Sequence, residues 1–587
     1  MMNDFPPAIL FLVGAMFVPL FQGRVKNYYV ILIPILGFFL VSKLSIGESW
    51  HLSFLGHQLT LLRVDKLSKA FGYIFCLNAF AAFVYAFYLK DSSQHVAALL
   101  YIGCSLGVVF SGDLITLYLF WEGMAVASTF LILARRTSKA QGAAYRYVLF
   151  HIVGGLCLLA GIVLHITQHD TIIFKPGFQP ALSTYLILIG FLVNAAAPPF
   201  SAWLSDAYPE ATVTGGVILS AYTTKTAVYT LIRGFPGWEI LIIIGCIMTI
   251  YGIIYALLEN DMRRILAYSI INQVGFMVTG IGIGTAMSIN GTVAHAFCHI
   301  IYKALLWMSA GSVLYMTGKS KCTDLGGLYK TMPWTLLFGL VGALSISSFP
   351  GTSGFTSKSL IIEGAMYQHL FWPWLVLEIA SAGVFLHAGI KFPYFVFFAK
   401  DQGLRPGEAP KTMLYAMAFM SFICLFLGIY PYPLYNILPN PVDYHAYGIN
   451  HVISQLQLLM FSALVFFLFL PLLKRTETIS LDTDWFYRKG GRAIYWALDK
   501  GLNGLNRIFA RVFFETLAPY LAHLSKDLIA RAILLLFVPV WLAKGLQGPR
   551  LNFRKQAYYW SLLKGAVPIG VGVAATTVIF IVIFLFR

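Results

Sequence analysis

The stretch Gly291-Thr-Val-Ala-His295-Ala-Phe-Cys-His299-Ile-Ile-Tyr-Lys303-Ala-Leu-Leu-Trp307-Met-Ser-Ala-Gly311-Ser-Val-Leu-Tyr-Met-Thr317 decides the fold. It is long and apolar enough to cross a bilayer, whose hydrocarbon core takes about 20 residues of helix. Yet it carries His295, His299 and Lys303 at i, i+4 and i+8, spacings that drift only slowly round a helix and so share one stripe. An ionisable group at the bilayer centre costs about 2.5–3.5 kcal/mol on the translocon scale and is a functional hypothesis by default. Imidazole titrates near neutral pH, so the stripe reads as a proton wire. No Glu follows the first His as a zinc-protease helix requires, and no metal site is expected there.

The rest of the chain has the same character. Of its 587 residues 59% are hydrophobic and 11% charged, with a mean hydropathy of +0.76. A soluble domain carries about 25% charged residues, so a soluble enzyme is excluded. Apolar runs recur from end to end and predict an all-α polytopic membrane protein of about 14–16 transmembrane helices. The net charge of +17 lies in short loops, which speaks for a lipid bilayer as partner and against nucleic acid. Arg24 and Lys26, Lys90, Arg135 to Lys139, Arg263 and Arg264, and Lys319 to Lys330 fall on one set of alternate loops. By the positive-inside rule these face the cytoplasm of a cell (inner or plasma) membrane, with the N-terminus on the other side. Keeping Lys400–Lys411 and Lys474–Arg492 cytoplasmic requires Phe355–Lys400 to cross once, as an interrupted or re-entrant piece. The N-terminus lacks the basic region of a signal peptide, so the first span is expected to be retained. Seven cysteines without a C-x-x-C pair predict neither a cluster nor a disulfide framework.

Two stretches break their spans. Asn194-Ala-Ala-Ala-Pro198-Pro199 does so because proline removes a backbone donor and clashes with the preceding turn; Phe349-Pro350-Gly351-Thr352-Ser353-Gly354 is the second. Broken helices are tolerated in a membrane where they line protein or a watery cavity, and they mark transporter ion sites. Further buried charges accompany them. Glu122 sits near the middle of its span, able to hold or release a proton as its surroundings change. Lys225 lies among Thr223, Thr224 and Thr226, and a buried lysine loses its proton readily. Lys358 follows the second break, and His387 and Lys391 lie at i, i+4. A structural ion pair for Glu122 and a snorkelling place for Lys225 or Lys391 are the plain alternatives. Asp113, Asp206 and Arg233 read as loop charges. Asp482–Arg511 reads as an amphipathic basic segment lying on the membrane interface, followed by a last span, Ala566–Phe586. No Walker motif, dinucleotide loop, haem motif or Ser/His/Asp set accompanies the charges, so neither a cofactor nor an enzyme is expected.

Six blocks, taken in order, resemble a known family. They are Phe120-Trp-Glu122; Pro198-Pro-Phe-Ser-Ala-Trp-Leu-Ser-Asp-Ala-Tyr-Pro209-Glu; Thr223-Thr-Lys-Thr-Ala-Val-Tyr; Asn260-Asp-Met-Arg-Arg-Ile-Leu-Ala-Tyr-Ser269; His299-Ile-Ile-Tyr-Lys303-Ala-Leu-Leu-Trp; and Phe349-Pro-Gly-Thr-Ser-Gly-Phe-Thr-Ser-Lys358. The family is that of the antiporter-like proton-translocating subunits of respiratory complex I, membrane-bound hydrogenases and Mrp-type sodium/proton antiporters, with the D-type member of the Mrp antiporters looking closest. The resemblance implies two inverted five-helix repeats, each with a discontinuous helix. Its boundaries are N-terminal helices over 1–110, a first repeat over 111–258, a second over 259–431, a further helix over 432–475, and the amphipathic segment with the last helix over 476–587. It carries roles to Glu122 (charge partner), Lys225 and Lys303 (internal relay), His295 and His299 (relay between halves) and Lys391 (terminal lysine). It also implies a membrane subunit of a multisubunit sodium/proton antiporter, with other membrane subunits, protons and Na+ as partners. A proton module of a redox-driven complex and a non-pumping scaffold are the alternatives. One departure stands out: the family's lysine before the proline matching Pro199 is here Asn194, whose amide takes up no proton near neutral pH. The histidine after that proline is replaced by Ser201.

Overall fold

In the computed structural model, residues 4–54, 56–471, 482–564 and 569–585 are described. The residues from Lys474 to Leu481 of the expected basic loop, and the ends of the expected last span, lie outside them. The chain forms two compact units, Met1–Asp484 and Trp485–Arg587.

The first unit opens with α1 (Pro7–Phe17) and α2 (Gly23–Lys43), then a hairpin of β1 (Gly47–Phe54) and β2 (His57–Val64) paired antiparallel. Four helices follow, α3 (Lys66–Tyr85), α4 (Ser92–Phe110), α5 (Leu114–Leu133) and α6 (Ser138–His169). Next come the short pieces α7 (Leu182–Asn194), α8 (Ala202–Ala207), α9 (Val213–Leu219) and α10 (Thr223–Gly234). The long α11 (Glu239–Leu258), α12 (Met262–Ile283) and α13 (Ala286–Thr317) occupy the middle of the chain. Beyond them lie α14 (Pro333–Ile346), α15 (Ser353–Tyr367), α16 (Phe371–Val384), α17 (Lys411–Ile429), the single turn α18 (Tyr432–Tyr435) and α19 (Ile449–Leu468). Among the described residues eleven helices are long and apolar enough to cross a membrane; α7 with α8, α9 with α10 and α14 with α15 each fall short because they are broken.

Side-chain caps start several of these helices. Asp65 takes the Ser68 N–H of α3 at 2.8 Å, Asp113 takes the Thr116 N–H of α5 at 2.7 Å, and Asp261 takes the Arg263 N–H of α12 at 2.8 Å. Each satisfies a donor the first turn leaves open. Asp113, expected to be a loop charge, is 1% exposed because its carboxylate also takes the Thr60 N–H at 2.7 Å, pinning the hairpin to α5. Arg233 is buried likewise, in an ion pair with Asp65 at 2.8 Å.

Hydrogen bonds between loops define the two ends of this unit. At one, Lys26 donates to the Lys90 carbonyl, Arg135 pairs with Glu210, Arg263 donates to the Pro209 carbonyl and Lys330 pairs with Asp401. At the other, Asp4 holds Ser45 and Trp50, Gly112 meets Thr60 and Phe174, and Asn290 meets Asn440. The N-terminus therefore lies opposite the basic loops.

The stretch Phe355–Lys400 departs from the single interrupted span the sequence suggests. Residues Ser353–Tyr367 complete the crossing begun by α14, His369 turns in the left-handed region (φ 54°), and α16 starts a separate crossing. That crossing continues through π-helical turns at Phe385–Lys391 and Tyr394–Phe398.

The second unit comprises α20 (Asp484–Phe509), running through a π-helical stretch, Ala510–Leu517, into α21 (Ala518–Ala543), then α22 (Gly548–Lys564) and α23 (Ile569–Leu585). The segment expected to be amphipathic is thus the start of one long helix, with Trp485, Ile494, Tyr495 and Trp496 all exposed. Phe537 and Trp541 of α21 pack on Tyr558 of α22.

Candidate functional site

The site is built where the broken helices leave carbonyls without partners. After α7, Ala195, Ala196 and Ala197 donate to Phe191, Val193 and Leu192; after α14, Ser347, Ser348 and Phe349 donate to Ala343, Ser345 and Leu344. Each helix then turns through a non-glycine residue at φ 58°, Ala196 in one and Ser348 in the other. Polar side chains also bind carbonyls at these ends, Val193 accepting from a side chain as well as from Ala196. The Trp203 indole donates to the Val193 carbonyl at 2.9 Å, and the Lys358 ammonium to the Ile346 carbonyl at 3.0 Å. At the third break Lys225 donates to the Ser220 carbonyl at 2.6 Å and to Thr224 at 3.1 Å. Helix C-termini concentrate negative partial charge, so each lysine head group finds a complementary partner at its break.

Between these breaks runs α13, whose face from Ser288 to Val313 is almost wholly buried. His295, His299 and Lys303 are each 0% exposed. The His295 ring lies 3.1 Å from Gln273 Oε1 and 3.4 Å from Ser357, the residue before Lys358. Tyr302 donates to the same Gln273 oxygen at 3.1 Å, and the His299 ring is 5.3 Å from that of Tyr302. Both ring nitrogens of His299 and the Lys303 ammonium are buried with no hydrogen-bond partner among the described residues. Lys225 lies within electrostatic reach of both. The Lys358 ammonium sits 5.1 Å over the Phe276 ring, which is 6.1 Å from His295. Lys225, Lys303, His299, His295 and Lys358 are thereby brought into one file.

Lys391 has a different place. It donates to the Ala256, Leu257 and Glu259 carbonyls at 3.1, 2.6 and 2.6 Å, capping α11 at the basic end. His387 binds the Gly383 carbonyl through Nδ1 at 2.8 Å and leaves Nε2 unpartnered among the described residues, within reach of Lys303 and Lys358. Glu122 is half-buried on α5, its Oε1 likewise without a partner.

Sequence reasoning did not single out three groups, one half-buried and two buried. Glu378 of α16 faces Lys358, and both line a cavity of about 770 Å³ together with Glu363, Asp443 and His451. Glu378 carried the same signal as Glu122, a carboxylate within an apolar run. His151 of α6 is 2% exposed. Asp482, 4% exposed, accepts from Tyr268 at 2.6 Å and from Tyr251; its position just after a polar stretch concealed it.

Residues 111–384 match the family described as NADH:quinone oxidoreductase/Mrp antiporter, TM. A Na+/H+ antiporter subunit A1 of Staphylococcus haemolyticus is 28% identical over 451 residues, covering 68% of this chain and 56% of that protein. The chain thus spans little more than half of that relative, which is a subunit A1 where the motifs read most like the D-type member. Among solved structures, the fold is shared with the membrane-bound sulfane sulfur reductase, an archaeal respiratory membrane complex (TM-score 0.71, 22% identity, 89% of this chain and 99% of that one). It is shared also with the Mrp complex from Dietzia sp. (TM-score 0.67, 18% identity, 77% and 99%). Residues 111–384 are thus similar to the transmembrane domain described for NADH:quinone oxidoreductase and Mrp antiporter, within a chain whose described residues include eleven helices long and apolar enough to cross a membrane.

Proposed function

We propose that the chain is a membrane subunit of a multisubunit cation/proton antiporter, moving protons along the buried file in exchange for Na+. One observation carries the reading: Lys303 Nζ and both His299 ring nitrogens are fully buried and have no hydrogen-bond partner among the described residues, in one file with lysines held at helix breaks. A buried polar group left without a hydrogen bond costs a fold about 1–3 kcal/mol, so the presence of three such atoms argues for use rather than architecture. Protons hop between groups that alternate between charged and neutral, and lysine and histidine in this setting do so. Other membrane subunits complete the assembly, as the solved relatives' names suggest, and the basic end faces the cytoplasm by the positive-inside rule. Lys358, at a break and open to a cavity, is the terminal lysine in this reading, while Lys391 serves as a cap.

Sodium-driven pH change in everted vesicles containing the whole complex tests it. Glu122→Gln and Lys225→Ala are expected to lose exchange, and wild-type exchange in both sinks the relay. Proton movement that requires an added electron donor instead places the chain in a redox-driven complex.

A further inference from the structure

We infer that His151 is a proton-carrying group of the first half, working as a pair with Glu122 beside the break after Asn194. The inference rests on the proton-moving reading above and adds a site to it.

His151 projects from α6 into the bundle. A neutral imidazole presents one donor and one acceptor, and here both ring nitrogens are buried without a partner among the described residues. Two aromatic rings set its plane, Tyr147 at 4.1 Å and Trp203 at 4.8 Å between centroids. The ring is therefore held firmly while its polar edges stay open, an arrangement that packing alone does not require. The Asn194 amide lies beside it, near enough to act on the ring yet outside hydrogen-bond geometry. One turn further along α6 is Gly155, at i+4 and so on the same face. A Cβ at Gly155 would lie 2.0 Å from Glu122 Oε1, so the carboxylate rests in the notch this glycine leaves. Glu122 and His151 thus share one stretch of α6, from two helices, next to a broken third.

The pair has a route onward. The Tyr147 hydroxyl lies 2.8 Å from Ser128 Oγ and beside Thr223, whose own hydroxyl is 2.6 Å from that of Tyr101. Thr223 precedes Lys225 by two residues. In the proposed step the Glu122 carboxyl O–H breaks and an N–H forms on the imidazole, giving carboxylate and imidazolium. The imidazolium then releases the proton from its other nitrogen towards the Tyr147–Thr223 hydroxyls and Lys225, and Glu122 is reprotonated from the aqueous side. One proton enters and one leaves. The titratable or polar groups against the ring are Tyr147, Asn194 and Trp203, with Tyr208 behind Trp203 at 5.6 Å and Glu122 one helical turn along at Gly155.

The test uses the assembled complex in everted vesicles under a sodium gradient. His151→Phe keeps a ring against Tyr147 and Trp203 but cannot titrate, and is expected to lower exchange roughly 100-fold or more. Adding Asn194→Lys to it places a titratable group at the neighbouring position and is expected to restore most of the rate, with a shifted pH profile. Gly155→Ala, which displaces the carboxylate while keeping both groups, is expected to lower exchange in the same way and stands as the second variant. A wild-type rate and pH profile in assembled His151→Phe or Gly155→Ala overturns the inference. So does a loss in His151→Phe that Asn194→Lys leaves unrepaired, which makes the ring a packing element. A wild-type complex that moves no protons overturns the parent reading as well.

Discussion

Ala196 and Ser348 hold one backbone conformation, φ 58° in both, and each follows a half-helix whose last turn closes with the same three hydrogen bonds. The left-handed region costs a non-glycine residue about 1–2 kcal/mol, and strain of this kind clusters at functional sites. Here its consequence is visible: the chain leaves the helix abruptly enough to expose the Val193 and Ile346 carbonyls to Trp203 and Lys358.

A β-branched residue is the hardest to fit at such a position. Ala196→Val and Ser348→Val are each expected to lose about 1–3 kcal/mol, read as a lower Tm in detergent. An unchanged Tm would mean that the break does not need this conformation.

The buried lysines should part ways when truncated. Lys391→Met strands three carbonyls at the end of α11 and is expected to cost about 1–3 kcal/mol, lowering Tm with transport kept in the assembled fraction. Lys303→Met removes a buried polar head group that has no hydrogen-bond partner among the described residues, so Tm should hold or rise. The opposite order of stabilities would contradict the two environments described.

How much of this was legible in the sequence follows from what each signal measures. Charges inside apolar runs exposed Glu122, Lys225, His295, His299, Lys303 and Lys358 because burial of a charge is rare enough to notice. Proline and glycine exposed both breaks. The hairpin of β1 and β2 and the cap role of Lys391 were not legible, since partners such as Thr60–Asp113 and Lys391–Leu257 lie far apart in the chain. His151 drew no notice because a lone histidine in an apolar helix looks like core until its unpartnered nitrogens are seen.

The Asp65–Arg233 pair gives a pH prediction. Burial alone would raise the Asp65 carboxyl, but the Arg233 guanidinium and the Ser68 N–H bring it below its ordinary value. A carboxylate depressed in the folded state contributes stability above its unfolded pKa, about 3.9, and loses it as pH falls through the folded value. The stability gap between wild type and Asp65→Asn should therefore be flat from about pH 5 to 8 and shrink below about 3.9. Denaturant titrations at several pH values check it; a gap that changes between pH 5 and 8 would contradict the pair.

The cavity at Lys358 and Glu378 is lined by the segment Asp443 to Leu458 and by Tyr367, and so lies towards the end opposite the basic loops. Ser359→Cys is expected to react with a membrane-impermeant thiol reagent added from the N-terminal side and not from the other. The seven native cysteines are buried or half-buried and give a low background. Labelling only from the basic side would reverse the assigned opening.

The most direct measurement of the proton file is sodium-driven exchange in everted vesicles carrying the complex with Lys303→Met. A file that runs through Lys303 predicts exchange at background with the complex assembled and its Tm undiminished. Wild-type exchange in that variant would contradict it.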